Sequence, residues 1–345
     1  MNVDYIIVGL GLAGISFAEK LEKNNKTFIV FENDSQTSSL VAGGVYNPVI
    51  LKRCTPVWKA KEQLKIALPF YSSLENKFKN QFDKKFSTKK IFKSIEDQNN
   101  WFTASDKPLL SEFMNPKILV KNIEGLIADF GFGEIYQTGR IDTKKLVESY
   151  RCYLESKEQI IYKSFNYNDL IVNPNSVVYE DILANKIVFC EGYGIKYNPY
   201  FKELPLNEVK GELFTIYAPD LHIDFLAKSN LFVLPLGDNY YKVGATFNWE
   251  DKTSVPSESG KQELIERLEK VLKVSYTIIN QTAGIRPTVK DRRPLLGKHP
   301  EYQNLIVFNG LGTRGVMIAP WAAEELYNHI EKGRELDIEL SISRF

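Results

Sequence analysis

The sequence predicts an α/β fold: a Rossmann-like domain that carries an inserted second domain of mixed or antiparallel β-sheet, itself of the α+β type. Three observations support this prediction. Residues 1–32 have a strand, a glycine-rich turn, a helix and a second strand in that order. Residues 304–332 repeat the strand, glycine loop and helix at the other end of the chain. Between them, residues 209–249 alternate in short β-rich runs. Because the two Rossmann-type units are far apart in sequence, we expect a discontinuous first domain.

The composition excludes several broad classes of protein. Hydrophobic residues make up 43% of the 345 and charged residues 25%, which is enough apolar surface for a folded chain. This length corresponds to about two domains. The 44 Lys and Arg nearly balance the 43 Asp and Glu, so a net charge of +1 gives no overall attraction to nucleic acid or to an anionic membrane.

Cysteine and histidine usage gives no sign of metal or disulfide chemistry. The 3 cysteines form no C-x-x-C motif and the 3 histidines are far apart, so we expect no metal site and a reducing compartment. The early apolar run at 5–18 is shorter than the roughly 20 residues that a membrane span needs. The start Met-Asn-Val-Asp also lacks the positive segment of a signal peptide. We therefore expect a cytoplasmic protein with no membrane span.

A glycine motif follows the first predicted strand directly. Gly9, Gly11 and Gly14 form G-x-G-x-x-G before a predicted helix at 15–24. The first glycine permits a tight turn, the second lets backbone N–H groups approach a pyrophosphate, and the third lets the helix pack on the strand. Glu32 ends the second predicted strand, near the spacing at which an acid binds ribose hydroxyls. This unit predicts a bound dinucleotide. The acid disfavours the 2′-phosphate of NADP, which leaves NAD and FAD.

The segment after Glu32 resembles part of the FAD-dependent D-amino-acid oxidase (DAO) family. Residues 38–45, Ser-Ser-Leu-Val-Ala-Gly-Gly-Val, are similar to the small-residue loop that runs beside the flavin ring in that family. Small residues suit this position because the backbone must pass within contact distance of a flat ring. The resemblance therefore favours FAD over NAD.

Two later segments strengthen the resemblance. Residues 284–297, GIRPTVKDRRPLLG, are similar to the family segment G-x-R-P-x-x-x-D-x-x-P-x-x-G. Residues 310–320, GLGTRGVMIAP, resemble its closing flavin-binding loop and helix. Matching blocks follow the family order over most of the chain. Within the family, the chain looks most like glycine oxidase and like the C-terminal FAD oxidase domain of the bifunctional enzyme that processes 5-carboxymethylaminomethyl-uridine in tRNA.

The resemblance implies a division of the chain and a set of cofactor contacts. Residues 1–80, 139–205 and 284–345 would form the FAD-binding domain, and residues 81–138 and 206–283 the substrate-binding domain. FAD would be held noncovalently, because relatives that attach the flavin use a cysteine in the last third of the chain and the last cysteine here is Cys190. The residues assigned to FAD are Gly9, Gly11, Leu12, Ala13, Gly14, Glu32, Asn33, Ser38, Ser39, Gly43, Gly44, Val45, Phe165, Gly192, Gly310, Gly312, Thr313, Arg314, Gly315 and Val316.

The implied reaction is oxidation of the C–N bond of a small, glycine-like amino acid or secondary amine by hydride transfer to the flavin. The protein must fix the geometry of the substrate, and a bidentate guanidinium is the best anchor for a carboxylate. The resemblance assigns this role to Arg286. Arg314, in the flavin loop, is a second residue that would contact the flavin or the substrate carboxylate. No side-chain base is assigned, because the cofactor carries the chemistry.

Two other functions stay open. The lysines around 84–90 are interleaved with phenylalanines, which is typical of a tRNA-contact surface but also of a solvated amphipathic helix. The near-zero net charge favours the helix, so an oxidase acting on the carboxymethylaminomethyl group of modified uridine in tRNA is the less favoured alternative. The third function is a flavin-binding protein without turnover that serves as an assembly partner. The sequence leaves the oligomeric state and the electron acceptor open.

Overall fold

The structure is a computed structural model that describes residues 1–35, 37–120 and 122–345. The helices are α1 (Leu12–Glu22), α2 (Ser38–Val41), α3 (Ala60–Phe78), α4 (Ile95–Ser105), α5 (Thr143–Ser156), α6 (Glu258–Leu268) and α7 (Gly315–Lys332). The strands are β1 (Asn2–Val8), β2 (Phe28–Glu32), β3 (Val45–Tyr46), β4 (Val49–Ile50), β5 (Thr55–Pro56), β6 (Asp83–Lys85), β7 (Thr88–Ile91), β8 (Met114–Leu119), β9 (Phe132–Ile135), β10 (Gly139–Ile141), β11 (Ile160–Tyr162), β12 (Leu170–Val172), β13 (Val177–Tyr179), β14 (Ile182–Phe189), β15 (Leu206–Tyr217), β16 (Leu226–Lys228), β17 (Phe232–Gly237), β18 (Tyr240–Gly244), β19 (Thr277–Val289), β20 (Leu295–Lys298) and β21 (Leu305–Asn309).

The first sheet is built from continuous apolar runs. Its strand order is β11-β2-β1-β14-β13-β12, and β21 pairs with both β14 and β20. The strands β11, β2, β1, β14 and β21 run parallel to one another. Every residue of β2 and of β21 is buried, because helices α1, α3, α5 and α7 cover one face and the segment 165–206 packs on the other. The predicted Rossmann-like α/β unit is confirmed.

The parallel pairing brings the two ends of the chain together. β1 and β21 both pair with β14, so the loops that follow these two strands open at the same edge of the sheet. The helices that follow the loops, α1 and α7, pack side by side. The carboxyl edge of a parallel sheet is where ligands bind in such folds. The glycine motif near the N-terminus and the loop before α7 therefore face one region.

The second sheet is mixed and mainly antiparallel, as the sequence predicts. Its order is β19-β15-β18-β17-β16-β7-β9-β8, with β16 and β7 as the parallel pair. The longest pairing joins β15 to β19 from Leu206 opposite Val289 to Tyr217 opposite Thr277. Helix α6 and the segment 214–226 pack in a core on one face of this sheet. The other face looks toward the first domain.

The sequence of residues 56–105, rich in lysine and phenylalanine, predicts a mainly helical segment, and the structure agrees only in part. Helix α3 ends at Phe78, where Lys79 adopts a left-handed backbone conformation with φ 52°. The chain then forms β6 and β7 before helix α4 begins after the capping side chain of Ser94. Buried Thr88 alternates with half-buried Lys89 on β7, which is the two-residue period of a strand. The phenylalanines of this segment therefore do not form one helical stripe.

The proposed domain limits remain a proposal in the light of this topology. The limit at residue 284 falls inside β19, which stays paired with β15 along its whole length. Strand β19 therefore belongs to the second sheet, and it carries residue 286 with it. Among the helices of the described ranges, none has the combined length and apolar character that a membrane crossing requires.

Candidate functional site

A cavity of about 610 Å³ lies where the two sheets meet. Its lining comes from six parts of the fold: the loop between β1 and α1, the segment 31–45, helix α5, the ends of β11, β14 and β21, the inner face of the second sheet, and the loop before α7. Residues that are far apart in the sequence therefore share one enclosed space. This is the arrangement expected of a ligand site between domains.

The glycine motif is shaped by contacts within the protein as much as by the cavity. Gly9 has φ +94°, and a Cβ there would lie 2.6 Å from the carbonyl oxygen of Cys190. A Cβ at Gly14 would lie 2.1 Å from the carbonyl oxygen of Gly9, so only glycine lets α1 start against this turn. Gly11 lines the cavity together with Gly9, whereas Gly14 supports them from behind.

Glu32 lies at the end of β2 and braces the glycine loop. Its carboxylate accepts hydrogen bonds from the backbone N–H groups of Leu10, at one oxygen, and of Asp34, at the other. Arg151 on α5 lies 3.5 Å from this carboxylate and 2.6 Å from that of Asp34. Arg151 is not predicted from the sequence, because one arginine on an amphipathic helix has no motif of its own. Its buried Nε has no hydrogen-bond partner among the described residues.

The small-residue segment forms one wall of the cavity. An extended loop is expected here from the sequence, but residues 38–45 begin with the one-turn helix α2. Ser39 Oγ accepts a hydrogen bond from the N–H of Leu12 at 3.3 Å, which holds this segment against the start of α1. A Cβ at Gly43 would lie 3.2 Å from the ring of Phe232 in the second sheet. The segment is therefore clamped between the two domains.

The starts of α1 and α7 point at the same part of the cavity. A Cβ at Gly315 would lie 3.1 Å from Leu12 Cδ1, which shows how closely the two helix starts approach. Neither helix has a side-chain hydrogen bond at its N-cap. Free N–H groups at the start of a helix attract anions such as phosphate. Two such helix starts side by side suit a group with two phosphates.

Most of the residues assigned to the site from the sequence line this one cavity. Those lining it are Gly9, Gly11, Leu12, Ala13, Glu32, Asn33, Ser38, Ser39, Gly43, Gly44, Val45, Phe165, Gly192, Arg286, Gly312, Thr313, Gly315 and Val316. Three assigned residues, Gly14, Gly310 and Arg314, are not among the lining residues that the structure describes. Gly310 packs against the protein instead, since a Cβ there would lie 2.9 Å from Val289 Cγ2.

Arg286 lies in the wall formed by the second sheet. Its Nη1 donates to the backbone carbonyl of Thr246 at 3.2 Å, and its guanidinium carbon lies 4.4 Å from the centre of the Phe247 ring. Within the described ranges no carboxylate forms an ion pair with it. Burial lowers the pKa of Arg286 to about 10. A guanidinium in this state leaves donors for an anion that enters the cavity.

Arg314 has a different environment. It ends the short 3-10 turn Gly312–Arg314 that precedes α7. Burial and the positive charge of Arg292 lower its pKa to about 10. The neighbouring residues Thr313 and Gly315 line the cavity, whereas Arg314 is not among the described residues that line it. The contact with substrate or flavin expected of Arg314 stays a prediction.

A buried carboxyl group near the end of β14 also lines the cavity. Glu191 accepts hydrogen bonds from the hydroxyl of Tyr167 and from Nδ2 of Asn198, the latter at 2.8 Å. Burial raises the pKa of Glu191 to about 7. The sequence analysis noted Gly192 but not this side chain. A buried acid with two polar partners leaves no signal in a single sequence.

The lining fits FAD. The orphaned Nε of Arg151 and the Glu32 carboxylate would meet a ribose and base, and the paired starts of α1 and α7 would hold a diphosphate. The small residues of 38–45 leave room for a flat ring next to Arg286. Phe165 also lines the cavity, and its ring is stacked on that of Tyr179 with the ring centres 4.0 Å apart.

Comparison with known proteins agrees with this fit. The family described as DAO, FAD dependent oxidoreductase, matches residues 4–328. The glycine oxidase of Bacillus subtilis (strain 168) is 22% identical over 357 residues, which cover 92% of this chain and 90% of that protein. The tRNA 5-methylaminomethyl-2-thiouridine biosynthesis bifunctional protein MnmC of Leptospira interrogans serogroup Icterohaemorrhagiae serovar copenhageni (strain Fiocruz L1-130) is 22% identical over 390 residues, covering 98% of this chain but 59% of that protein.

The solved structures lead to the same fold. The crystal structure of glycine oxidase from Geobacillus kaustophilus has a TM-score of 0.81 with this chain at 19% identity, and covers 100% of this chain and 99% of its own. The two-sheet architecture of this chain is therefore also that of the glycine oxidase structure. Since the family match extends over nearly the whole chain, the chain belongs to the DAO family of FAD-dependent oxidoreductases.

Proposed function

We propose that this enzyme oxidises the C–N bond of an amine that carries a carboxylate, either a small amino acid or an N-substituted glycine. The observation that carries the proposal is the state of Arg286. Its guanidinium lines the cavity, donates to backbone carbonyls only, and has no carboxylate partner among the residues the structure describes. An unpaired guanidinium in a water-poor cavity selects a carboxylate ligand.

The residues around Arg286 suit the binding of such a substrate. When bound, FAD supplies the chemistry by accepting a hydride equivalent from the carbon next to the amine. Arg286 would hold the carboxylate and so fix which carbon faces the cofactor. Leu213 and Phe232 line the same part of the cavity and would exclude water from it. The resulting imine would hydrolyse to a carbonyl compound and a free amine, and no side-chain base is proposed.

FAD would be bound without a covalent link, as expected from the sequence. Cys190 is the cysteine that lines the cavity, and it lies buried at the end of β14 against Gly9. Burial raises the pKa of its thiol, so the thiolate that an attachment reaction needs is disfavoured. A cytoplasmic location likewise remains our proposal.

A second substrate for the same chemistry is favoured by exposed aromatic residues, of which Phe247 lies beside Arg286. Phe247 is 57% exposed and Trp249 is 59% exposed. Exposed rings next to a carboxylate anchor suit stacking with a nucleobase. The alternative is therefore an oxidase acting on the carboxymethylaminomethyl group of modified uridine in tRNA. The lysines proposed for tRNA contact are partly engaged elsewhere, since Lys90 pairs with Asp97 at 3.0 Å and Lys89 lies over the Phe225 ring.

The test is reduction of the bound flavin by candidate substrates without oxygen, which is monitored through the absorption of the flavin. Glycine, sarcosine, a D-amino acid and an N-carboxymethyl amine are supplied to the wild type and to Arg286→Met. We expect bleaching in the wild type and at least a roughly tenfold higher KM in the variant, because a hydrogen bond to a charged group contributes about 1.5–3 kcal/mol. Arg334→Met, at an exposed arginine on the far surface, is the control and should match the wild type.

Three outcomes separate the candidate functions. Bleaching by free amines that is lost in Arg286→Met supports the amine oxidoreductase. Bleaching only by tRNA that bears the modified uridine, with salt-sensitive binding, supports the tRNA enzyme. Bound FAD that no amine or tRNA reduces would leave the non-catalytic partner, and the proposal would be abandoned.

A further inference from the structure

Lys228 places a second unpaired cation in the cavity. It is the last residue of β16, it is half-buried, and its side chain lines the cavity. Within the described part of the chain, its ammonium has no hydrogen bond and no ion pair. Burial and the positive charges of Arg267 and Lys93 lower the pKa of Lys228 to about 8. An ammonium in this environment lacks the anion that would stabilise it.

Two other buried lysines of the second sheet have carboxylate partners, which Lys228 lacks among the described residues. Lys210 is fully buried and pairs with Asp251 at 2.5 Å. Lys90, the β7 neighbour of Lys228, pairs with Asp97 at 3.0 Å. In both of these lysines the buried ammonium is paired with a carboxylate. Lys228 lacks one at the position where the cavity would bring a ligand.

The register of the second sheet sets Lys228 on the same face as the residues around Arg286. Leu213 on β15 is opposite Gly244, Gly244 is opposite Phe232, and Phe232 is opposite Lys228. Directly opposed residues in an antiparallel pair point to the same face. Leu213 and Phe232 line the cavity, as Lys228 does. One row of side chains thus crosses the wall of the cavity that the second sheet forms, and Lys228 is the last of these that lines the cavity.

The two cations are too far apart for a small amino acid to touch both. The guanidinium of Arg286 lies over Gly211 on β15. From β15 to β16 there are three strand spacings, roughly 14 Å in all. The row that contains Lys228 meets β15 at Leu213, two residues along the strand from Gly211, so the two positions are also offset along the strands. Glycine and sarcosine are both shorter than this spacing.

We propose that the substrate is an elongated N-substituted glycine with a second anionic group. Its carboxylate would bind Arg286, and a carboxylate or phosphate at the far end of the amine substituent would bind Lys228. The apolar side chains of Leu213 and Phe232 would contact the part between them. This inference rests on the proposed function and adds a substrate class to it. Lys228 is then a specificity-determining residue rather than a catalytic one.

The first test measures binding without turnover. Nonanedioate has two carboxylates and its monoamide has one, at the same length and shape. Each is titrated into the FAD-loaded wild type, and binding is followed by the change in flavin absorption. We expect the diacid to bind about tenfold more tightly, a preference of about 1.4 kcal/mol. The preference should fall below twofold in Lys228→Met and persist in Lys228→Arg.

A matched control lies on the adjacent strand. Lys89 is one residue before the lysine that pairs with Lys228, and its ammonium lies over the Phe225 ring. It is not among the described residues that line the cavity. Lys89→Met removes the same charge from the same sheet, so it should keep the preference for the diacid. An equal loss in both variants would show a general charge effect and would overturn the proposal.

The second test uses amines that can be oxidised. Two amines carry a second anion at the far end: N-carboxymethyl-6-aminohexanoate has a carboxylate there and N-carboxymethyl-5-aminopentyl phosphate has a phosphate. A third amine, N-carboxymethyl-hexylamine, has no second anion. We expect the wild type to be reduced with a kcat/KM at least about tenfold higher by one of the anionic amines than by the neutral one, in line with a charged hydrogen bond. Lys228→Met should remove this difference by raising the KM of the anionic amine toward that of the neutral one.

The outcomes distinguish a failure of this inference from a failure of the proposed function. Reduction by all amines with no preference for a second anion would overturn the inference and keep the amine oxidoreductase. A diacid preference that depends on Lys228, without reduction by any amine, would support the anion site and refute the proposed function. Loss of FAD from Lys228→Met, with unchanged selectivity in the remaining holoenzyme, would make the lysine a cofactor contact and overturn the inference.

Discussion

The guanidinium of Arg286 occupies the space that a side chain at Gly211 would need: a Cβ built at Gly211 lies 1.8 Å from Nη2 of Arg286. The two residues lie on neighbouring strands, where Gly211 pairs with Gly284 and Val209 with Arg286. The absent side chain lets the arginine lie across β15 and reach the carbonyl of Thr246. The position of the proposed anchor is therefore decided by the absence of a side chain at Gly211.

Gly211→Ala is predicted to impair substrate binding more than stability. The obstacle to the new Cβ is the end of a flexible side chain, so Arg286 moves away and the backbone stays. We expect the KM for a carboxylate-bearing amine to rise about tenfold or more, since a charged hydrogen bond is lost. FAD content should stay at the wild-type level. Steady-state kinetics and flavin absorption measure both.

Gly14→Ala is the contrasting variant. The obstacle there is the backbone oxygen of Gly9 at 2.1 Å, which cannot move without shifting the turn. Its Tm and FAD content should both fall. A Gly211→Ala enzyme with an unchanged KM would show that the arginine does not anchor the substrate from its observed position.

Arg151→Met is predicted to weaken FAD binding. The variant removes the buried Nε that has no partner and the ion pairs to Glu32 and Asp34. We expect a Kd for FAD about tenfold higher or more, measured by fluorescence titration of the apoprotein. Lys144→Met, which breaks an exposed pair on the same helix, should leave the Kd unchanged. A wild-type Kd in Arg151→Met would remove this residue from the cofactor site.

Arg314→Met is predicted to leave the KM of the substrate within about twofold of the wild type, because this arginine contributes less than a charged hydrogen bond to the ligand. The reason is that Arg286 lines the cavity, whereas Arg314 is not among the described residues that line it. Steady-state kinetics beside Arg286→Met make the comparison. A rise in KM equal to that of Arg286→Met would restore the substrate role expected of Arg314 from the sequence.

The raised pKa of Glu191 is predicted to make the free energy of unfolding depend on pH. Its pKa is raised from 4.5 to about 7 in the folded protein, so the folded state holds a proton that the unfolded state releases. The free energy of unfolding should therefore fall as the pH rises from about 4.5 to about 7 and level off above, by at most about 3 kcal/mol. Denaturant unfolding of FAD-free protein at several pH values measures this.

Glu191→Gln keeps the shape of the side chain and removes its titration. The fall in stability between pH 5 and pH 7 should be smaller in this variant than in the wild type, as linkage requires. The acids Glu22 and Glu331 have pKa values lowered to about 2, so their titration affects a more acidic range. Parallel stability curves for the wild type and Glu191→Gln would contradict the assignment.

Local patterns in the sequence determined the Rossmann-like unit and its cofactor. The G-x-G-x-x-G turn, the acid at Glu32 and the apolar runs depend on neighbours within one βαβ segment, so they are legible without the fold. The segments 284–297 and 310–320 carried the family resemblance in the same way. The helical structure predicted for residues 56–105 was wrong over β6 and β7, because short polar strands are stabilised by sheet partners that local spacing does not reveal.

Only the tertiary structure decided which side chains share the cavity. Arg151, Glu191 and Lys228 come from a helix surface, a strand end and a short inner strand of the second sheet, and none has a motif of its own. Their significance lies in missing or buried partners, which depend on what the rest of the chain packs against them. A sequence records which charges exist, whereas the fold determines which of them remain unpaired, and the unpaired charges select the ligand.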